Sequence, residues 1–479
     1  MGLNFELLKK HKVWIGLISI IIFGFVFRIY ALGDSNLWVD EAISSLAARN
    51  IWEKGIPKFD SGAFYERALV FHYLVALSTT IFYNDLGARL ISVFFGLGSA
   101  VLVFFIAREF SSENEKIRNN TAGLVAALFS AVLFLEVVYS RQARFYQMFQ
   151  FFFFLTLFFL YKSKDKDRQN KKYAWLACFS LTILVNTHLA GIIIAPLFFY
   201  LFIKEQKDWK LFIIPIIISL YYAPSLLGIN YGDTKLAGSY VESYSSSLFY
   251  HLRAFGIITL LGLPFGFYWN KRLTLILIIP SIVLLISLFF VKVYALRYAY
   301  FIVLLAPIFI GVLFSYIYKN NKLFFSIILI AAVLYPSNLF FDSGYLTVIR
   351  PEDVQLFTSS EPIIGYKDLS QNLKVEIINS NNVVLFTPAF AWYYKNPDYF
   401  IPFSLNGLSS GYTLYNGIDI YTGSKIFNLE DPQLKEFILV EDAFGYSKLN
   451  SSERAKVDAL KRRCEFIEEA RFLKVYRCK

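Results

Sequence analysis

VWIGLISIIIFGFVFRIYAL, residues 13–32, is followed within five residues by Leu37-Trp38-Val39-Asp40-Glu41-Ala42. As a helix, the first stretch rises about 30 Å, the thickness of a bilayer's hydrocarbon core. It is too long for the apolar part of a cleavable signal, and no small-residue cleavage site follows it. Similar apolar runs recur at 87–107, 121–138, 145–161, 173–188, 189–203, 211–228, 254–270, 273–291, 298–318 and 323–341. Of the 479 residues, 56% are hydrophobic and 17% charged, and the mean hydropathy is +0.49. A soluble domain is about 45–50% apolar and about 25% charged. These figures exclude a soluble globule and a disordered chain, and they predict a polytopic α-helical membrane protein. The 51 Phe and 32 Tyr suit lipid-facing helices with aromatic belts. Three cysteines provide neither a disulfide scaffold nor a thiolate metal cluster.

The net charge of +11 is first a topology signal and second a hint of an anionic ligand. It is not read as a nucleic-acid footprint. Lys9, Lys10 and Lys12 precede the first run. Arg108, Lys116 and Arg118 follow the second, and Lys162, Lys164, Lys166, Arg168, Lys171 and Lys172 follow the fourth. Lys204, Lys207 and Lys210, then Lys271 and Arg272, then Lys319 and Lys322 follow the sixth, eighth and tenth. With about 11 transmembrane helices, all these clusters share one side. The positive-inside rule makes that side cytoplasmic, so the N-terminus is inside and the C-terminal tail outside. Residues 66–83 are apolar enough to be counted as another span, but that would put the 162–172 cluster outside. The segment is therefore read as an interfacial or re-entrant helix in a long outer loop, 33–86. A twelfth span that breaks the charge rule is the alternative.

From 342 to 479 the apolar runs shorten to strand length: 382–387, 418–421, 436–440 and 472–477. The amphipathic stretch 451–463 lies between the last two. This predicts a small extracytoplasmic α/β domain at 342–479, after a transmembrane domain at 1–341. Cys464 and Cys478 could be a disulfide there or two free thiols.

Charged groups on the outer side stand out against the charge rule. Asp40 and Glu41 open a helical pattern (Ile43, Leu46, Ala47, Ile51) that Gly55 and Pro57 should end. A carboxylate at a helix N-terminus on the membrane surface can act as a base toward an incoming acceptor. It can equally be a helix cap or a first-turn acid. Arg141 and Arg144, in Tyr139-Ser140-Arg141-Gln142-Ala143-Arg144-Phe145-Tyr146, present planar forks suited to phosphate; interfacial snorkelling is the alternative. Lys292, Arg297 and Tyr298 form a third outer basic site. Glu66 and Arg67 open the interfacial helix. His188 ends the fifth run, and it is either a ligand group or a hydrogen-bonded core residue.

With these motifs the chain resembles the GT-C integral-membrane glycosyltransferases. It is most similar to the protein O-mannosyltransferase and lipid A aminoarabinose transferase families. Asp40-Glu41 matches the acidic pair of the family's first outer loop. Tyr65-Glu66-Arg67 resembles its Y-E-[KR]-P-P-L stretch, with Ala68-Leu69 in place of the prolines. Gly87-Ala88-Arg89-Leu90, Ser140 to Tyr146, and Arg297-Tyr298 with Pro307 resemble later elements, so the likeness covers roughly 1–345. One departure concerns the second aspartate that follows span 3 in aminoarabinose transferases, where this chain has Arg144.

The resemblance implies a hexosyl- or pentosyltransferase of the cell membrane. It would move a sugar, with inversion, from a polyprenyl-phosphate carrier to a protein, lipid or glycan acceptor at the outer face, next to membrane lipid. Asp40 would act as base, with Glu41 beside it. Glu66, Arg67, Arg141, Arg144, Tyr146, His188, Arg297 and Tyr298 would bind substrate. No cofactor or metal is required by this chemistry, though a divalent cation could bind Asp40 and Glu41. The alternatives are a transporter or flippase of lipid-linked saccharides, which should show mid-span polar groups or inverted repeats, and a lipid-linked polysaccharide polymerase or ligase.

Overall fold

The computed structural model describes residues 5–82, 84–110, 119–163, 168–206, 210, 213–227, 248, 252, 254–288, 296–334, 364–394, 396–401, 414–429 and 434–479. The expected domain boundary at 341/342, and Lys116, Arg118, Lys164, Lys166, Lys207 and Lys292, lie outside these residues. The chain forms two compact units. One comprises residues 1–30 and 92–358, the other residues 31–91 and 359–479.

The first unit is helical. It contains α1 (Phe5–Ile29), most of α4 (Asp85–Arg108), α5 (Asn120–Val132), α6 (Phe134–Ser140), α7 (Tyr146–Lys162), α8 (Arg168–Thr187), α9 (Leu189–Gln206) and α10 (Ile213–Leu227). Helices Ala254–Leu288, Leu305–Asn320 and Lys322–Leu334 follow. Each apolar run of the sequence thus carries a helix. By length and composition, four described helices suffice to cross a bilayer, or five when the bent pair α5–α6 is one span. Ile18, Ile22 and Val26 of α1 are exposed, as are Ile214, Ile217 and Tyr221 of α10. Such exposed apolar stripes suit contact with lipid.

Helix breaks follow the sequence. Asn270, with non-helical φ −153° and ψ 76°, divides the run 254–270 from that starting at Leu273, and its Oδ1 accepts the Leu273 N–H at 3.0 Å. Close helix approach depends on small residues, as membrane packing requires. A Cβ on Gly311 would collide with the Ala122 carbonyl oxygen of α5.

The second unit joins the loop after α1 to the C-terminal sheet. Here α2 (Val39–Lys54) ends at Gly55, whose φ of 78° is the left-handed conformation that glycine adopts without strain. The next helix, α3 (Leu69–Ile81), has 13 residues and rises about 20 Å, short of a bilayer core. It buries Phe71, His72, Val75 and Ala76 and exposes Val70, Tyr73, Leu77 and Ile81.

Among the described residues the sheet has eight strands: β1 (Val383–Leu385), β2 (Tyr399–Phe400), β3 (Leu414–Tyr415), β4 (Ile418–Asp419), β5 (Lys425–Ile426), β6 (Phe437–Asp442), β7 (Cys464–Ala470) and β8 (Leu473–Cys478). Their order is β3-β4-β5-β2-β1-β6-β8-β7. The contacts β5-β2, β2-β1 and β1-β6 are parallel, and the others antiparallel. The amphipathic helix Ser451–Lys461 buries Val457 and Leu460 among Val384, Phe437 and Leu439. A disulfide joins Cys464 to Cys478. In the β4–β5 turn, the buried Asp419 carboxylate accepts from the Thr422 N–H at 2.7 Å and the Thr422 hydroxyl at 2.6 Å. Among the described residues its other oxygen is buried without a hydrogen-bond partner, and burial pushes the group up to about 6.

Candidate active site

In the second unit, Asp40 and Glu41 lie side by side in the first turn of α2, with Trp38 as the N-cap, yet their surroundings differ. Asp40 is half-buried and Glu41 only 1% exposed. Arg89 grips Glu41 bidentately, Nε to Oε1 at 2.9 Å and Nη2 to Oε2 at 2.8 Å. Glu41 Oε2 also accepts the Trp38 N–H at 3.3 Å. Arg89 further donates to the carbonyl oxygens of Leu32, Ser35 and Asn36 and to the Ser35 hydroxyl. The fork geometry of arginine matches this set, which ties residues 32–36 to the start of α2. Both Glu41 oxygens are thus engaged by the Arg89 guanidinium. Among the described residues no group of three or more His, Cys, Asp or Glu is arranged to hold a metal.

One helical turn before Arg89, Asp85 is 1% exposed. It accepts from the Trp392 indole at 2.8 Å and the Tyr393 hydroxyl at 2.9 Å, and pairs with Lys367 at 2.6 Å. The Tyr393 hydroxyl in turn accepts the Leu37 N–H. Burial and the adjacent Asp85 push the Tyr393 phenol well above its ordinary value, so it stays protonated and able to donate. Lys367 also donates through its backbone N–H to Asn36 Oδ1 at 3.0 Å and through Nζ to the Gly33 carbonyl at 2.8 Å. Glu66 and Arg67 are exposed at the entry to α3.

In the first unit the structure gathers five of the residues expected to bind substrate. The Arg144 guanidinium lies over the Phe145 and Tyr146 rings at 4.8 and 5.5 Å. The His188 ring lies 6.3 Å from that of Tyr146, 5.4 Å from Phe149 and 5.9 Å from Tyr298. Arg297 lies over Tyr298 at 5.5 Å. Arg144, Tyr146, His188, Arg297 and Tyr298 thus form one aromatic and basic cluster. His188 Nδ1 accepts the Ala190 N–H at 3.0 Å, which leaves the ring proton on Nε2 as a donor.

Arg141 also contacts a helix end. Its Nη1 donates to the carbonyls of Phe27, Arg28 and Tyr30 at the end of α1. Arg28 does the same for the end of α5, donating to Ser130 and Ala131 where the helix breaks at Leu133. Helix ends in an apolar medium leave carbonyls that water cannot reach, and these two arginines satisfy them.

Sequence reasoning passed over two groups. Glu136 is fully buried within an apolar run and accepts from the Gln150 amide at 2.8 Å; Tyr300 donates to Gln147 and Gln150. An acid inside an apolar run was signal enough to flag it. Asp85, Lys367, Trp392 and Tyr393 had no such local signal.

Comparison with known proteins agrees with this architecture. Across 97% of this chain and 98% of its own, ArnT from Cupriavidus metallidurans bound to undecaprenyl phosphate has the same fold, with a TM-score of 0.62 at 11% identity. The oligosaccharyltransferase AglB from Archaeoglobus fulgidus, in complex with an inhibitory peptide and a dolichol-phosphate, matches 98% of this chain and 74% of its own, with a TM-score of 0.56 at 12% identity. No curated protein matches by sequence. The chain thus shares its fold with ArnT and AglB. Residues 66–226, about a third of the chain, match the family model of dolichyl-phosphate-mannose-protein mannosyltransferases.

Proposed function

We propose that the protein transfers a sugar from a polyprenyl-phosphate carrier to a protein, lipid or glycan acceptor at the outer membrane surface. The reading rests chiefly on the pairing of Arg144 and Arg297 with one aromatic cluster in a chain of GT-C fold. Two arginines with His188 Nε2–H supply donors for the oxygens of a lipid-linked phosphate, and the Tyr146 and Tyr298 rings supply faces for a sugar. Asp40, in the first turn of α2, takes the proton of the acceptor hydroxyl. The acceptor oxygen attacks the anomeric carbon from the face opposite the phosphate. The sugar–phosphate bond breaks with inversion, and the arginines stabilise the charge that grows on the departing phosphate. Glu41, held by Arg89, fixes the helix turn that carries Asp40. About 11 spans, a cytoplasmic N-terminus and an external C-terminal domain complete the reading, and the Cys464–Cys478 disulfide suits an oxidising exterior.

The test is a transfer assay with a polyprenyl-phosphate sugar in proteoliposomes. Free polyprenyl phosphate should be released only when acceptor is present, and Asp40→Asn should lower turnover about 10²–10⁴-fold, the usual worth of a positioned base. Donor binding should survive. Full turnover in that variant would refute the role of Asp40. Sugar-lipid movement across the bilayer without phosphate release would identify a flippase.

A further inference from the structure

The loop that leads into α2 is fastened to the C-terminal part of the chain by groups with no assigned role. Leu37 lies three residues before Asp40, and its backbone N–H donates to the Tyr393 hydroxyl at 2.5 Å. Lys367 holds Gly33 and Asn36 on the same strap, through Nζ at 2.8 Å and through its backbone N–H at 3.0 Å. Asp85 binds both fasteners, Tyr393 at 2.9 Å and Lys367 at 2.6 Å, and is itself fixed by the Trp392 indole. Arg89, four residues further along the same helix, takes the carbonyls of Leu32, Ser35 and Asn36 and the Glu41 carboxylate. The backbone from Leu32 to Leu37 is thus held from two sides by side chains that are themselves buried or paired.

We propose that Tyr393 and Lys367, set by Asp85, are positioning residues that fix the direction in which Asp40 points, so that the C-terminal domain completes the acceptor side of the site. This rests on the reading of Asp40 as the group acting on the acceptor. A side chain in the first turn of a helix moves with the residues before the cap, and an error of about 1 Å in a reacting group can cost about 10²-fold in rate. Tyr393 is suited to the task because its ring stacks on Tyr366, with centroids 5.6 Å apart, while its hydroxyl bridges the Leu37 N–H and Asp85. Trp392, next to it, fills the other oxygen of the same carboxylate.

The test is Tyr393→Phe in the full-length protein in proteoliposomes. The substitution keeps the stacked ring and removes only the hydroxyl. Hydrogen exchange should quicken in the peptide covering 36–42 and stay unchanged across the strands of the C-terminal sheet. The kcat of transfer should fall about 10–100-fold, with the KM for donor unchanged. Lys367→Met, at a half-exposed side chain, should reproduce the split to a smaller degree, and it stands in if Tyr393→Phe does not fold. Unchanged kcat in both variants would overturn the proposal. So would faster exchange throughout the sheet with loss of donor affinity, since that is the mark of a purely structural contact. Asp40→Asn run alongside separates the two readings. If it keeps full turnover, the role of Asp40 fails and this inference with it. If it loses turnover while Tyr393→Phe and Lys367→Met do not, only this inference fails.

Discussion

Replacing Glu41 by Ala should loosen the second unit far more than replacing its neighbour Asp40. Glu41 accepts two charge-assisted bonds from Arg89, at 2.9 and 2.8 Å, with the carboxylate 1% exposed. Charged hydrogen bonds contribute about 1.5–3 kcal/mol each, and removing one partner of a buried pair costs about 3–5 kcal/mol. Arg89 would keep its bonds to Leu32, Ser35 and Asn36, so the guanidinium would not be stripped, and the loss should sit near the low end, about 3 kcal/mol. That corresponds to roughly a hundredfold rise in local opening. The assay is hydrogen exchange on peptides covering 36–42 and 85–91 in detergent-solubilised protein, where protection should drop by about that factor. Glu41→Gln keeps an acceptor for Arg89 and should lose less. Asp40→Ala removes a half-buried first-turn acid, worth about 0.3–1 kcal/mol through the helix dipole. Unchanged protection in Glu41→Ala, or equal losses at both positions, would refute the division of labour between the two acids.

Further outcomes follow from other parts of the molecule. Arg144→Ala and Arg297→Ala should each weaken donor binding by about 1.5–3 kcal/mol, with only partial rescue by Lys, which lacks the planar fork; unchanged affinity in both would refute the phosphate role. Single cysteines in place of Lys58 and Asn84, on either side of α3, should both react with an impermeant reagent from outside; protection of Asn84 alone would make α3 a span. Asp419 has a folded pKa of about 6, above the ordinary carboxylate value, because burial disfavours its charge. Its contribution is therefore full below about pH 4 and lost as pH rises through about 6, a cost of about 3 kcal/mol at neutral pH. Thermal unfolding of Asp419→Asn should gain on the parent across that window, and parallel pH profiles would contradict the assignment.

Periodicity and charge made the helical part of the fold legible, because apolar runs and their basic ends are local properties. The break at Asn270, the end of α2 at Gly55 and the helix at 451–461 were readable for the same reason. The number of spans is less direct: by length and composition four described helices, or five with α5–α6 joined, suffice to cross a bilayer. In the sheet, β1, β4, β6 and β8 fall on apolar runs. β7 carries Glu465, Glu468 and Glu469 on an edge, so its sequence lacks the usual strand signature. Two-residue strands such as β2 and β5 leave no pattern at all. At the site, Arg144, Arg297 and His188 were readable as polar groups in apolar surroundings. Asp85 was not, because its partners lie 307 and 308 residues away and no local pattern encodes such a pairing.

That separation has a consequence for how the chain is made. Arg89 and Glu41 are 48 residues apart and can pair soon after both leave the ribosome. Asp85 must wait for Trp392 and Tyr393, with most of the hydrophobic helices emerging in between. The sheet finishes later still. Its final strand, β8, lies between β6 and β7, so β7 has no strand to pair with until residues 473–478 arrive. Among the described groups, the strap from Leu32 to Leu37 therefore has only Arg89 to hold it until Lys367 and Tyr393 have been made. A chain stopped before Lys367 would carry the described hydrophobic helices through Leu334 and an Asp40 helix with only half its fastenings.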